Sequence, residues 1–173
     1  KLKIVKSDKE LINFLKSYWL QNPNPNIEQC VNISFSNQDE LSKVKTLSKI
    51  LVKNDDLYYK HLILGKFKYK AKVWGSSKND LNKSLKFRPS KEAYYYLSKI
   101  EEDLKNVKST KEKLKKMYDN CEKIYLWKCY TCNLLHERWL PYCSSCKKLD
   151  SIKIIDYKTV NNRPKLLINQ ISQ

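Results

Sequence analysis

The pattern of apolar and polar positions along roughly the first two-thirds of the chain is helical. Leu11, Phe14, Leu15, Tyr18 and Trp19 recur at intervals of three and four, the spacing of one helix face. Ser7 and Glu10 stand before them in the form of a capping box, which predicts where the helix starts. The run QNPNPN (Gln21 to Asn26) ends it, because proline lacks the amide proton and clashes with the preceding turn. Ile27 to Phe35 is ambiguous and fits a short helix. Ser36 is a candidate N-cap for the next helix, with Leu41, Val44, Leu47, Ile50 and Leu51 as its buried stripe. Asn54-Asp55 marks a turn, and Leu57 to Lys70 is apolar on more than one side, as expected of a helix packed on two faces. The polar run GSSKND, residues 75–80, reads as a break before a shorter helix carrying Leu81 and Leu85. Ser90 caps a helix in which Ala93, Leu97, Ile100 and Leu104 share a face. Thr110 caps a last one, Lys111 to about Asn120, with Leu114, Met117 and Tyr118 inward.

Helices of this length joined by short polar turns predict an array of helical hairpins, and the period can be tested. Counting back from Pro89 as the terminal proline of a unit of about 34 residues puts Leu64-Gly65 at the Leu-Gly of a first helix. Ser77, Leu81, Ser84 and Leu85 then take the small, large, small and large places of a second helix. About Tyr58 to Lys91 therefore looks like a tetratricopeptide repeat. The stretch from Glu92 to about Asn120 fits less well, with Leu97 one residue early and Lys99 where a small residue is expected. The helix before Asn54 resembles the second half of an earlier repeat.

The most specific stretch follows the helices. In WKCYTCNLLHERWLPYCSSC, Cys129, Cys132, Cys143 and Cys146 form two Cys-x-x-Cys pairs. Each pair turns both sulfurs into one site, and two such knuckles complete a tetrahedron of thiolates. The intervening stretch suits a short β-hairpin. A closed Cys₄ site predicts one structural zinc ion, with iron in the manner of rubredoxin as the alternative. Knuckles often carry glycine after the second cysteine to take positive φ. Here Asn133 and Lys147 occupy those places, and lysine tolerates that conformation poorly. Thiol redox chemistry competes, but it needs an exposed, acidified cysteine in a strand-to-helix context, and none is evident. His136 is expected on the hairpin surface and His61 in a core or interface. Cys30 and Cys121 are expected to be small buried hydrophobes.

The expected fold class is thus mainly α. A tetratricopeptide-like array (an α-solenoid) covers 1–123, a Cys₄ zinc ribbon or rubredoxin-like module covers 124–156, and a tail covers 157–173. The presence of only 2 glycines argues against a sheet-rich fold, since hairpins and bulges consume them. No apolar run is long enough to span a membrane. The chain begins at Lys1 without Met or signal peptide, which suggests a piece of a longer protein. In the tail, Leu166-Leu167-Ile168 either docks on the body or frays.

Charge opens a second line of thought. The 35 basic and 18 acidic side chains leave +17, a surface that attracts nucleic acid, anionic membrane or acidic protein. Only Arg88, Arg138 and Arg163 are arginines, however, and readers of phosphates and base edges favour arginine's bidentate fork. An AT-rich genome filling solvated faces with lysine accounts for the same composition. No paired carboxylates and no Ser/His/Asp set converge, so the expectation is a protein without enzymatic activity.

The order of parts resembles a known family. LKFRPSKEAYYYLSKIEED followed by YLWKCYTCNLLHERWLPYCSSCKKLDSI resembles the C-terminal region of the alphaproteobacterial HemY family. There, tetratricopeptide repeats with an RPS-x-x-AY joint precede a W-x-C-x-x-C … W-x-P-x-C-x-x-C … D-S ribbon. The matching residues are Arg88, Pro89, Ser90, Ala93, Tyr94, Trp127, the four ribbon cysteines, Trp139, Pro141, Asp150 and Ser151. The ribbon is also similar to those of LapB lipopolysaccharide-assembly proteins and RadA-type recombination proteins, but the repeats favour HemY over RadA. The resemblance implies a protein anchored on the cytoplasmic face of a bacterial inner membrane, with its anchor outside this chain, and a loose association with haem biosynthesis. It implies no enzymatic activity. The protoporphyrinogen oxidase that shares the name would need a dinucleotide-binding Gly-x-Gly-x-x-Gly, which this chain lacks.

The first functional expectation is a protein-binding scaffold. The repeat phasing places Tyr59, Lys66, Tyr69, Tyr95 and Lys99 in a groove suited to an acidic or amphipathic segment. A zinc-locked ribbon would cap the unstacked end of the array, through Trp127 and Trp139. The alternative is nucleic-acid binding through lysine-rich faces and the ribbon. Adhesion to anionic lipid can accompany the first.

Overall fold

A computed structural model describes residues 7–104, 108–121 and 127–155. The chain divides into two compact units, Lys1–Asn120 and Cys121–Gln173. Among the described residues the first unit holds α1 (Asp8–Gln21), α2 (Ile27–Ser34), α3 (Glu40–Ile50), α4 (Tyr58–Lys70), α5 (Trp74–Phe87), α6 (Lys91–Asp103) and α7 (Lys108–Asp119). The second holds a three-stranded antiparallel sheet. The protein is therefore mainly helical with a small β module. No described helix is long and apolar enough to cross a membrane. The tail 157–173 lies outside the described residues.

Local chemistry sets the helix starts. Ser7 accepts a hydrogen bond from the Glu10 amide at 3.3 Å, and Ser90 accepts one from the Ala93 amide at 3.1 Å, as N-caps do. Helix α3 begins later than expected. Its cap is Asp39, which accepts from the Ser42 amide at 2.9 Å, while Ser36 lies in the preceding turn. An ionised side chain makes the stronger cap, because charge-assisted bonds are stronger and the helix N-terminus favours anions. Thr110 lies inside α7 instead of capping it.

The expected break at residues 75–80 is helical and belongs to α5. The chain turns earlier, at Ala71 to Val73. Lys72 there takes φ 58°, and the Val73 amide donates to the Lys68 carbonyl at 2.9 Å. This closure is usually made with glycine in the left-handed position, so lysine in its place hides the turn. Inside α5 the polar residues have tertiary partners. The Ser77 hydroxyl donates to the Gly65 carbonyl at 2.7 Å, and Asp80 takes Lys68 Nζ at 2.5 Å.

Helix α4 packs along α5 and α6 along α7. Further contacts join α3 to α4, α5 to α6 and α4 to α6. The connections are short, so each pair is a helical hairpin. Helices α4 and α6 start at Tyr58 and Lys91. Trp19, Ile27, Leu47, Ile50, Leu57, Ile63, Phe67, Leu81 and Ile100 are fully buried and form the core. Trp19 also donates from Nε1 to the Val52 carbonyl at 3.0 Å, and its ring meets Tyr59 edge-on. These contacts fasten α1 to the α3–α4 corner. Five expected core residues are exposed instead: Phe14, Leu41, Leu104, Met117 and Tyr118. An apolar stripe wider than the contact with the neighbouring helices leaves its outer residues in solvent.

In the second unit, β1 (Trp127–Cys129) is the central strand, between β2 (Leu135–His136) and β3 (Ile152–Ile154). Trp127 pairs with His136 on one side and Ile154 on the other. The hairpin is legible in the cysteine spacing, whereas the third strand, returning after the second knuckle, is not. Trp127 and Ile152 are buried; Trp139 is 40 % exposed.

Candidate functional site

The sheet brings the two knuckles together. Cys129 ends β1, and the Asn133 amide closes the first knuckle on the Cys129 carbonyl at 2.9 Å. The second repeats it: the Lys147 amide donates to the Cys143 carbonyl at 3.0 Å. Asn133 has φ 61° and Lys147 φ 59°, the left-handed conformation that the missing glycines would have eased.

All four sulfurs lie within 4.8 Å of one another, and Cys129–Cys146 and Cys132–Cys143 stand at 3.6 Å. A disulfide would need about 2.05 Å. A tetrahedron of thiolates each about 2.3 Å from a central ion has edges of about 3.8 Å. The cluster has that size and can hold a metal ion. Cys129 and Cys143 are buried and Cys132 and Cys146 exposed, so the site is sunk on one side and open to loading on the other.

The surroundings favour thiolate on Cys129. The Ser151 hydroxyl at 3.3 Å holds it down to about 5 against burial, helped by the Cys132 and Thr131 backbone amides. Cys146 goes the other way. The Lys148 amide draws it down, but burial and hydrogen bonds among the crowded sulfurs push it up to about 11. Four thiolates this close repel, so without a cation some protons stay; a bound cation releases them.

His136, expected on the hairpin surface, is buried, with Nε2 3.6 Å from Cys143 Sγ. Facing Trp127 across the β1–β2 pair holds the ring beside the sulfurs, where a proton on Nε2 would offset thiolate charge. Only the register could reveal this. Cys30 and Cys121 are each half-buried.

The five candidate groove residues divide. Tyr59 is buried, its hydroxyl donating to the Pro23 carbonyl at 2.8 Å. Lys66 is also buried, with Nζ 2.7 Å from both Glu28 of α2 and Glu92 of α6. Burial draws its pKa down, but the two carboxylates outweigh that and hold it above the ordinary lysine value. Both therefore hold the helices together and do not line an open face. Tyr69 and Lys99 are half-buried, and Tyr95 is 47 % exposed. Tyr96, which the repeat phasing does not single out, joins them. Its ring lies 5.3 Å from Tyr69 and 5.3 Å from Tyr95, both edge-on. The result is a track of three tyrosines from the end of α4 across α6. Lys99 is held at its side by Glu102, 3.0 Å away.

His61 is buried, as expected. Its Nε2 lies 2.9 Å from the Asp55 carbonyl and its Nδ1 3.6 Å from Asp80, and it stacks on Phe87. No protein-family model matches the chain, and no curated protein matches it. The likeness to HemY therefore rests on the quoted motifs alone.

Proposed function

We propose that the protein is a non-enzymatic scaffold: tetratricopeptide-like hairpins that bind a protein or peptide, with a C-terminal Cys₄ ribbon holding one structural zinc ion. The observation that carries the scaffold reading is the tyrosine track Tyr69–Tyr96–Tyr95 on adjacent α4 and α6. Tyrosine supplies large contact area with little loss of side-chain freedom, and partially exposed tyrosines are what recognition surfaces use. Hairpins α4–α5 and α6–α7 in succession, with Gly65 against Leu81, support the repeat assignment.

Zinc is preferred for the ribbon because a closed four-thiolate site needs no redox change and no open coordination position. Iron is distinguished by its absorption in the visible range. The HemY-like setting, a partner at a membrane and an association with haem synthesis, is part of the proposal and rests on the resemblance.

The test has two arms. Metal content of protein purified without tags or added metal is expected to be one zinc per chain. Partner capture from cell extract is expected to depend on Tyr69 and Tyr96, so that Tyr69→Ala with Tyr96→Ala loses the partner while the melt is kept. The nucleic-acid reading is checked by titrating single-stranded RNA and duplex DNA against salt. Tight binding that persists near physiological salt, with strand or sequence preference, would replace the scaffold reading.

A further inference from the structure

Helix α7 is the least covered helix of the first unit. From 110 to 119 no side chain is buried. Leu114, Met117 and Tyr118 nevertheless have the i, i+3, i+4 spacing of one apolar face. Leu114 is half-buried, while Met117 is 40 % and Tyr118 37 % exposed, although the sequence pattern turns all three inward. Against this stripe α6 brings Tyr94 and Tyr95, and between the helices lies a slot of about 300 Å³. Tyr95 is also the end of the tyrosine track, so the slot continues that surface.

Charge at the rim is mostly positive. Lys111 and Lys115 line the slot with Asp119, and Lys91 Nζ lies 5.4 Å from the centre of the Tyr118 ring. Lys111 is engaged by Glu102 at 2.9 Å. Lys91 and Lys115 form no ion pair with a described residue.

We infer that this slot receives the apolar anchors of an acidic amphipathic helix from a partner protein. The inference rests on the scaffold reading and names that partner's chemistry. An i, i+3, i+4 stripe is the seam along which another helix packs, and slots of this size take anchor side chains. The rim selects the sign of the occupant. A second copy of this chain carries +17, and the chain's own residues 157–173 contain Lys158, Arg163 and Lys165 and no acidic side chain. Both would bring like charge to lysines, which is unfavourable across an interface, whereas glutamates flanking leucines complement it.

The test uses the full chain, metal-loaded, and fluorescence anisotropy with four labelled peptides. These are a Glu/Leu amphipathic helix, a Glu/Ser peptide of equal charge, a Lys/Leu helix with the same apolar face, and residues 163–172 of this chain. The Glu/Leu helix is expected to bind roughly tenfold or more tighter than the other three, and less tightly as salt rises. Tyr118→Ala, and Lys91→Glu with Lys115→Glu, are each expected to weaken it about tenfold with the thermal melt retained. Equal binding of the Glu/Ser peptide would reduce the effect to diffuse charge and overturn the slot. Tighter binding of the Lys/Leu helix or of the 163–172 peptide would overturn the choice of occupant. Binding indifferent to all three substitutions would place it elsewhere. If no peptide binds while capture from extract still depends on Tyr69 and Tyr96, the slot inference falls and the scaffold reading stands. If capture also fails, both fall.

Discussion

Replacing Gly65 by alanine separates the local preference of a helix from the packing of two helices. Within α4 the change should help, because alanine is favoured over glycine in a helix by about 1 kcal/mol. Packing opposes it. A Cβ on residue 65 would lie 2.7 Å from Leu81 Cγ and Cδ2, closer than carbon atoms can approach. Leu81 is fully buried, so its side chain has nowhere to swing, and its backbone nitrogen at 3.3 Å recedes only if α5 moves off α4. That movement also stretches the bond from the Ser77 hydroxyl to the Gly65 carbonyl. Overpacking of a tight site costs about 1–3 kcal/mol, and the absence of slack puts this case in the upper half of that range. The net expectation is a loss of about 1–2 kcal/mol, read as a fall of roughly 3–10 °C in the helical melt. Gly75 is the internal control. It lies exposed in the first turn of α5, and a Cβ there would meet nothing within 4 Å, so Gly75→Ala should stabilise by about 0.5 kcal/mol. Urea melts followed by far-UV circular dichroism measure both. A Gly65→Ala protein as stable as the parent, or more so, would refute the close approach of α4 and α5.

Serine at any one of Cys129, Cys132, Cys143 or Cys146 is expected to abolish stoichiometric metal binding, scored by elemental analysis after dialysis against chelator. Serine at Cys30 or Cys121 should leave it intact. His136→Ala should shorten metal retention against chelator by about tenfold, the usual effect of removing an outer hydrogen-bond partner; unchanged retention would make His136 a packing residue only. Lys66→Ala leaves Glu28 and Glu92 facing each other without their shared cation, and should cost about 1–3 kcal/mol in a urea melt, lowered by the partial exposure of Glu92. Asp80 gives a pH signature. Burial pushes its carboxyl up, but the His61 imidazole 3.6 Å away and the hydrogen bond from Lys68 outweigh that and hold it below its ordinary value of 3.8. A depressed folded value means stability that is complete above about pH 4 and lost as pH falls through the folded value. The urea midpoint should therefore fall more between pH 5 and pH 3 in the parent than in Asp80→Asn. Finally, a ribbon that caps the helices requires metal removal to lower the helical melt, and an unchanged melt would end that expectation.

Much of the fold is legible because it is written in local chemistry. Ser7 and Ser90 cap helices wherever they meet a free amide, prolines at 23 and 25 stop a helix in any context, and a period near 3.6 must bury one face. The points where sequence misleads have a common cause. GSSKND reads as a break because Gly, Ser and Asn are poor helix formers in isolation. In the fold, Ser77 and Asp80 find partners on α4, and the actual turn hides behind Lys72 in a conformation that usually needs glycine. Tyr59 and Lys66 look like groove residues for the same reason. Helical phase says which side a residue lies on, but not whether a neighbouring helix has already taken that side.

For the second unit, sequence alone determined which four cysteines cluster, because two Cys-x-x-Cys knuckles leave the sulfurs few ways to meet. It also determined the helical class of the first unit and the sign of its surface. Tertiary structure decided what surrounds those features. The β1–β2 register put His136 against Cys143, and the return of β3 put Ser151 against Cys129. The crossing of α4, α6 and α2 turned Lys66 from a surface charge into a buried tie. Helix α7, packed chiefly on α6, kept Met117 and Tyr118 open. The physical reason is range. Caps, turns and knuckles close within a few residues, so adjacent letters encode them. Burial, pairing and exposure depend on which distant segment arrives, and that is settled only when the chain packs.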